Sequence, residues 1–437
     1  MEQTAALLLY ITPLAVFLGY YVASRRKIAN QNIHIKVNAI ASGLTEPASL
    51  HPVIDPLKCI GCGSCVNACP EQQVLGLINR KAELIAPSHC IGHGACKAAC
   101  PEDAITLVFG TATRGVDIPE LSSDFETSQP GVFIAGELGG MGLIRNAIEQ
   151  GTQAMMAIRN FGLSLKTTDE SLYDVIIVGA GPAGIAASLY AIEQKMSYVL
   201  LEQDSLGGTV SHFPRGKVVM TSPAKLPLVG AVKFSETSKE ELLEFWQQVE
   251  RNHELKANYQ ERLEAVSRDG ETLRVTSNKG VYTSKALLMA IGRRGTPRKL
   301  GVPGEELDKV MYRLVDPQQF RHQHVLVVGG GDSAIEAALA IADEEGTTVT
   351  LSYRGDAFSR AKEKNRKQVS LAGQHDSLSV YLQSEVDNIT TAAVMLKTTD
   401  GNVQLKNNYV IICAGGVLPN ALLNDIGINV TTKFGTA

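Results

Sequence analysis

The sequence predicts an α/β protein built around two parallel-sheet units, with a small cysteine-rich α+β domain and one N-terminal apolar helix ahead of them. Three observations carry this. A strand–turn–helix–strand pattern with a glycine-rich turn occurs twice, at 174–202 and at 324–352. Seven of the eight cysteines lie between Cys59 and Cys100, in two near copies of one short motif. Residues 4–23 carry no charge. Strands that alternate with helices in this way read as parallel sheets with crossover connections.

The chain has 437 residues, too many for one simple core, and its 44% apolar and 20% charged content suits a folded body of several domains. Net charge is −4 with no basic stripe, which argues against a nucleic-acid partner. The composition divides the chain into 1–27 (anchor), 28–50 (linker), 51–108 (cysteine copies), 109–160, 172–295, 296–415 and 416–437.

The N-terminal stretch "TAALLLYITPLAVFLGYYVA" has 20 uncharged residues. As a helix it spans roughly 30 Å, the thickness of a bilayer core. Arg25, Arg26 and Lys27 follow it, and only Glu2 precedes it. A cleavable signal carries its positive charges first, so the expectation is a single-pass transmembrane helix. The positive-inside rule then places the N-terminus outside and the body in the cytoplasm, with the lipid bilayer as a partner. A buried core helix is the bland alternative.

The two copies read "CIGCGSCVNACP" (59–70) and "CIGHGACKAACP" (90–101). Three ligands in one tight turn reach three corners of an iron–sulfur cube, and the fourth cysteine reaches the other cube. One [4Fe-4S] cluster is therefore expected on Cys59, Cys62, Cys65 and Cys100. The other is expected on Cys90, His93, Cys96 and Cys69. Residues 55–108 resemble the bacterial two-cluster ferredoxins, including Pro70 and Pro101. The departure is His93. As a ligand it removes one negative charge, which predicts that the second cluster is the more easily reduced. The alternative is a [3Fe-4S] cluster with His93 unligated. A structural zinc site is the bland alternative for the whole motif.

"DVIIVGAGPAGIAASLYAIEQKMSYVLLEQ" is a complete nucleotide-binding unit. Gly179 makes the tight turn, Gly181 lets backbone approach a pyrophosphate, and Gly184 lets helix pack on strand, with Pro182 and Ala183 opening the helix. The pyrophosphate belongs at the helix N-terminus. Glu202, 18 residues beyond Gly184, ends the second strand where a carboxylate bonds the adenosine ribose. The second unit, "VLVVGGGDSAIEAALAIADEEGTTVTLSYRG", offers Gly329, Gly331, Asp332, Ser333 and Ala334. Its second strand ends in Ser352, Tyr353 and Arg354, with no acid, and Arg360, Lys362, Lys364 and Arg366 follow. Arginine there suits a 2′-phosphate, which favours NADPH over NADH; Arg354 and Arg360 are the candidates. Lys364 and Arg366 read as a solvated face.

These units, with the strands in "LLMAIG" and "VIICAGG", resemble the two-dinucleotide flavoproteins of the low-molecular-weight thioredoxin reductase type over about residues 172–437. The resemblance implies two Rossmann-like dinucleotide-binding domains, FAD on the first unit and NAD(P)H on the second, and usually a homodimer. The family closes on T-x-x-P-G-[IV]-[FY]-A-x-G-D followed by R-Q-A at the flavin. That segment is missing after residue 416. It is found upstream in "TSQPGVFIAGELGGMGLIRNAIEQG", with Thr127, Pro130, Gly131, Phe133, Ala135 and Gly136 in place, Glu137 for the Asp, and Arg145, Asn146 and Ala147 for R-Q-A. "FGTA" stands at 109–112 and again at 434–437. The reading is a circular permutation in which 109–160 completes the FAD domain begun at 172. Arg145 and Asn146, at a helix start, favour negative charge on a reduced flavin.

The family's redox C-x-x-C is absent: after Cys100 the only cysteine is Cys413, in an apolar strand. A lone strand cysteine is more often a small buried hydrophobe. The clusters take the place of the disulfide. Flavin joins a two-electron hydride donor to one-electron centres. The expected activity is an FAD-dependent NAD(P)H:acceptor oxidoreductase with no side-chain nucleophile. The expected acceptor is a quinone or cytochrome at the membrane, or a ferredoxin. The alternatives are a ferredoxin- or quinol-dependent NAD(P)+ reductase, and a non-catalytic electron-transfer subunit of a larger membrane complex.

Overall fold

The computed structural model describes the chain except residues 1, 42–43, 48–49, 72, 91, 93, 113–114, 141, 165–171, 214, 216–217, 221–222, 233–235, 294, 360, 362, 374–376 and 436–437; the side chains of 2–12, 14, 163–164, 218–220, 236, 296 and 363 are also left aside. His93 and Arg360 thus lie outside the described residues. Two compact units form: Met1–Gly115 with Phe434–Ala437, and Val116–Lys433.

In the first unit the strands His51–Ile54 and Ile105–Val108 pair antiparallel, and Leu75–Ile78 forms a hairpin with Lys81–Leu84. The hairpin turn is Asn79–Arg80, both at positive φ (49° and 61°). This is the primed-turn geometry whose twist matches that of the flanking strands. Cys59, Cys65, Cys90 and Cys96 sit in the core with Val74, Leu75 and Ile105.

The N-terminal helix runs Glu2–Ala41 without a break, Pro13 included. The stretch read as a linker from residue 28 is therefore helical up to Ala41. Asn32 Nδ2 donates to the Leu77 carbonyl at 3.1 Å, Lys36 pairs with Glu83 at 2.5 Å, and Ala39 is buried. Among the described residues no helix is long and apolar enough to cross a membrane. This overturns the expected anchor, the bilayer as a partner, and the location with the N-terminus outside. The reason lies in the length of the element. The uncharged run is the first part of a longer helix whose later part carries Arg25, Arg26, Lys27 and Lys36 and docks on the hairpin Leu75–Leu84.

Among the described residues, the second unit is built on two larger sheets. In the first, Ala257–Tyr259, Tyr198–Glu202, Tyr173–Val178 and Val281–Met289 run parallel, and Thr272–Ser277 and Leu263–Asp269 extend the sheet antiparallel. Val132–Ile134 joins it, parallel to Leu287–Met289. The inner strands are continuous apolar runs because helices cover the parallel part. Helix Ile144–Ser164 packs along helix Pro182–Glu193 on one face. The second sheet runs, all parallel, in the order Val310–Met311, Tyr409–Ile412, His324–Val328, Thr348–Tyr353, Leu378–Leu382. A three-stranded meander, Glu385–Ile389, Ala393–Thr398 and Gly401–Lys406, precedes its return strand. Two connections join the halves of this unit, and they pair as a short antiparallel ribbon, Thr296–Pro297 with Gly416–Val417. Val430–Lys433 closes the unit by pairing antiparallel with Val116–Pro119.

Candidate cofactor sites

Each cysteine copy winds through left-handed glycines into a short helix. Gly61 and Gly63 (φ 70° and 82°) lead into Ser64–Ala68, and Gly92 and Gly94 (φ 78° and 76°) lead into Ala95–Ala98. A side chain at Gly61 would meet the Arg80 carbonyl oxygen at 2.0 Å, so this loop lies tightly on the hairpin turn. The structure brings Cys59, Cys62, Cys65 and Cys100 around one cavity, with Ile54, Ile60 and Ala82 among its walls. Cys100 belongs to the second copy, so the grouping crosses between copies. Burial first, then the neighbouring Cys59, pushes the Cys65 thiol up to about 11. Burial likewise pushes Cys96 to about 11, with Cys90 and Cys69 adding to it, and raises Cys90, where Cys69 also contributes. Cys69 itself is raised by burial. Cys69, Cys90 and Cys96 therefore form the second neighbourhood. Two buried thiol groups that repel one another when ionised suit a cationic iron–sulfur group, which stabilises the thiolate. Backbone amides already point at sulfur: Ala82 N–H at Cys59 Sγ (3.5 Å) and Ala104 N–H at Cys100 Sγ (3.3 Å).

The first nucleotide turn is shaped for a diphosphate. Gly179 has φ 105°, and a Cβ there would lie 2.5 Å from the Ala290 carbonyl oxygen. At Gly184 the clash would be with the Gly179 oxygen at 1.8 Å. At Gly181 an added Cβ would meet nothing nearer than Gly208 Cα at 3.8 Å. The turn face is therefore open where helix Pro182–Glu193 begins. Glu202 is buried; its Oε2 accepts from Ala180 N–H (2.6 Å) and its Oε1 from Asp204 N–H (2.8 Å). Burial raises this carboxyl above its ordinary range. Each oxygen keeps a lone pair for a ribose hydroxyl. These features fit an FAD-type dinucleotide.

The upstream segment meets this turn. A Cβ on Gly136 would lie 3.2 Å from the Ala183 Cβ and 3.7 Å from that of Ala147. Gly136 N–H donates to Gln150 Oε1 at 2.8 Å. Glu137 lies near Gly142 and Gly292, and its charge, with that of Asp117, opposes the burial that lowers the Arg293 guanidinium. Arg145 is exposed and pairs with Glu149 at 2.9 Å, so its charge is already partnered. Asn146 is half-buried in the same first turn.

In the second unit Gly329 (φ 147°) could carry no side chain, because the Cys413 oxygen would lie at 2.4 Å. Gly331 opens on space, with nothing within 4 Å. Asp332 accepts from Asn365 Nδ2 at 2.7 Å, Ser333 is exposed, and Ala334 is buried. The Tyr353 ring lies over Gly330 and Gly355 and stacks on Phe358 at 5.6 Å and 16°. Arg354 is exposed and lines a shallow pocket with Gln383, Lys397 and Thr398. An open glycine face at the start of a helix again fits a nicotinamide dinucleotide.

A family model described as pyridine nucleotide-disulphide oxidoreductase matches residues 176–434, more than half of the chain. The chain belongs to this family. A second model, the 4Fe-4S dicluster domain, matches residues 51–101 of this oxidoreductase. Its relatives include the ferredoxin–NADP reductase of Thermus thermophilus, 31% identical over 255 residues, covering 55% of this chain and 72% of the relative. They also include that of Ignicoccus hospitalis, 27% identical, covering 60% and 83%. Among solved structures it is similar to the bacillithiol disulfide reductase of Staphylococcus aureus, at TM-score 0.52 and 27% identity, covering 58% of this chain and 80% of that one. The protein is an FAD-dependent NAD(P)H oxidoreductase that also carries a 4Fe-4S dicluster domain.

Sequence reasoning passed over several residues of this oxidoreductase that the structure places at its first nucleotide turn. Gly207 N–H donates to the Ala180 carbonyl at 2.9 Å, and Gly208 (φ 57°) approaches Gly181 so closely that a Cβ would lie 3.0 Å from its Cα. The Gly-Gly pair five residues after Glu202 was the available signal. Gln150 and Arg293 carried none.

Proposed function

We propose that the chain exchanges electrons between NADP(H) and a ferredoxin-type one-electron carrier, through FAD and two iron–sulfur clusters. The observation that carries this is the cavity lined by Cys59, Cys62, Cys65 and Cys100 in a chain that also holds two nucleotide turns. Two relatives named ferredoxin–NADP reductases support the choice of carrier. The quinone and cytochrome expectation rested on the anchor and goes with it.

When bound, FAD would supply the chemistry that joins a two-electron hydride donor to one-electron centres, and iron–sulfur clusters would supply single-electron carriers. The chain's own residues bind and position. Gly179, Gly181 and Gly184 with Pro182 and Ala183 leave the helix N-terminus free for the FAD pyrophosphate, and Glu202 holds the ribose. Gly136, Glu137, Asn146 and Ala147 shape the flavin end beside Ala183, while Arg145 holds Glu149. Gly329, Gly331, Asp332, Ser333 and Ala334 take the nicotinamide dinucleotide. Arg354, with no acid at the strand end, favours a 2′-phosphate and so NADPH; Arg360 is its proposed companion. Cys59, Cys62, Cys65 and Cys100 hold one [4Fe-4S] cluster. Cys69, Cys90, Cys96 and His93 hold the other, with a [3Fe-4S] centre as the alternative if His93 does not ligate. After Cys100 the only cysteine is Cys413, so that stretch has no C-x-x-C and disulfide reduction is not the activity on this reading.

The order of segments is read as a circular permutation: of the expected segment 109–160, the part from Val116 onward, with its helix extended to Ser164, is proposed to supply the closing part of the FAD domain begun at 172. This is supported by the parallel pairing of Val132–Ile134 with Leu287–Met289 and by the approach of Gly136 and Ala147 to Ala183. It accords with the relatives being matched over only 72–83% of their length.

Anaerobic titration with NADPH and then NADH tests the function. Flavin absorbance should bleach first and cluster absorbance next, with NADPH effective at lower concentration. Added bacterial ferredoxin should then be reduced. Flavin reduction with no cluster bleaching would overturn the reading.

A further inference from the structure

One short segment is anchored at both of its ends on the second nucleotide turn. At its near end, strand Thr348–Tyr353 stops where the Tyr353 ring covers Gly330 and stacks on Phe358. At its far end, helix Glu363–Ala372 begins where Asn365 meets helix Asp332–Ala342. Asn365 is 6% exposed. Its Nδ2 donates to Asp332 Oδ1 at 2.7 Å and to Glu336 Oε1 at 3.1 Å. Both partners are carboxylates, which accept and do not donate, so the amide nitrogen must face them, and its two N–H groups suffice for the two bonds. Asp332 and Glu336 lie one turn apart, where like charges repel, and the amide holds both. Two bonds from one buried side chain to two successive turns of another helix fix both its position and its rotation. Arg366 Nη1 donates to the Ala361 carbonyl at 2.5 Å, and Ala361 is fully buried, which ties the start of the helix to the segment before it. Between the two anchors the sequence carries Arg354, Arg360, Lys362 and Lys364 against Asp356 and Glu363.

We propose that Asn365 is a positioning residue of the nicotinamide-dinucleotide site: by clamping Asp332 and Glu336 it holds the basic segment 354–364 beside the start of helix Asp332–Ala342, so that the site selects a dinucleotide carrying a 2′-phosphate. The proposal rests on the NADPH reading given above and adds the residue that sets it. Cations bind a phosphate best when they already stand in place, because ordering long side chains and their loop on binding costs affinity. A dinucleotide without that phosphate needs the open glycine face and the helix N-terminus, which Asn365 does not build. Loss of the clamp therefore falls on NADPH and spares NADH.

The test is isothermal titration calorimetry of the full, FAD- and iron-loaded chain with 2′,5′-ADP, beside ferricyanide reduction from NADPH and from NADH. Asn365→Ala should weaken Kd for 2′,5′-ADP by about tenfold, the worth of a hydrogen bond to a charged group. KM for NADPH should rise by a similar factor, while kcat and the KM for NADH stay within about twofold. Asn365→Asp sets a third carboxylate beside two others and should weaken Kd further. Asn365→Ser keeps one donor and should lose less; if Asn365→Ala does not fold, Asn365→Ser decides by the same ratio. Equal rises in KM for NADPH and NADH would mean that Asn365 supports the glycine turn common to both, and the proposal falls. A lowered melting temperature with both KM values unchanged would make Asn365 a purely structural residue and also overturns it. If wild-type protein prefers NADPH and the variants keep that preference, the proposal fails while the NADPH reading stands. If the wild type uses NADPH and NADH alike and does not bind 2′,5′-ADP, that reading fails and the proposal falls with it.

Discussion

Single residues decide whether the two halves of the flavin site meet. At Gly151, inside helix Ile144–Ser164, an added Cβ would lie 2.2 Å from the Ala183 carbonyl oxygen, a backbone atom that cannot swing aside. Gly162, on the same helix, has nothing within 4 Å. Alanine should therefore have opposite effects at the two sites. Gly162→Ala should stabilise by about 0.5–1 kcal/mol through helix propensity alone. Gly151→Ala should destabilise by about 1–3 kcal/mol, because the helices must move apart. It should also lower FAD content, since Gly136 and Ala147 stand beside Ala183. Melting temperature and the flavin-to-protein absorbance ratio read both effects. The cysteines give a second contrast. Cys100 sits in the second copy by sequence but with Cys59, Cys62 and Cys65 in space. Cys100→Ala should abolish the paramagnetic signal of the cluster held by the first copy, and Cys69→Ala that of the other. Electron paramagnetic resonance of the dithionite-reduced variants distinguishes this crossing from ligation confined within each copy.

At the scale of elements, one carboxylate pins the loop that follows the first connection between the halves of the second unit. Glu305 accepts from the N–H groups of Leu300 and Gly301, both at 2.7 Å, and from Tyr312 Oη at 2.9 Å. Burial alone would raise this carboxyl, but the donors together outweigh it and hold it below its ordinary range. The charged form is therefore the one the fold stabilises. That stabilisation is present above the unfolded carboxyl value of about 4.3 and is lost as pH falls through the lower folded value. Glu305→Gln should cost about 2 kcal/mol locally at pH 7, read as a roughly 30-fold loss of hydrogen-exchange protection at the Leu300 and Gly301 amides. The gap between wild type and variant should narrow as pH falls below the unfolded carboxyl value and close only below the lower folded value. Elements such as Tyr173–Val178 and His324–Val328 were legible in the sequence, because a parallel strand covered on both faces is an unbroken apolar run ending in a glycine turn. The cysteine spacing was legible for a similar reason, since ligand geometry leaves little freedom. The N-terminal run misled because twenty uncharged residues satisfy a length criterion whatever follows them. Only the structure shows the helix continuing to Ala41 and docking through Asn32 and Lys36. Gly207 and Gly208 stayed hidden because a loop that folds back over a turn has no periodicity to read.

At the scale of the molecule, the permuted order makes a prediction that the register sharpens. Val430–Lys433 pairs antiparallel with Val116–Pro119, and Lys433 stands directly opposite Val116. Two strand ends that face each other in this way are joined by a two-residue hairpin turn at small entropic cost. At the other end, Ser164 and Tyr173 are separated by only the segment 165–172. A chain that begins at residue 172, runs to Lys433, turns through Asn-Gly into Val116 and ends at Ser164 would thus keep every pairing of the second unit while omitting the first. Such a chain should fold, bind FAD with an unchanged absorption envelope, and reduce ferricyanide from NADPH. It should reduce ferredoxin at least about tenfold more slowly, because the clusters that pair one-electron chemistry with flavin are gone. Loss of FAD from the relinked chain would mean that 116–164 and 172–433 are not one domain written in another order. Retained ferredoxin reduction would mean that the flavin reaches its partner without the cysteine-rich unit. The two failures show up in different measurements, cofactor content and acceptor rate, so a single relinked protein tests the fold order and the electron route separately.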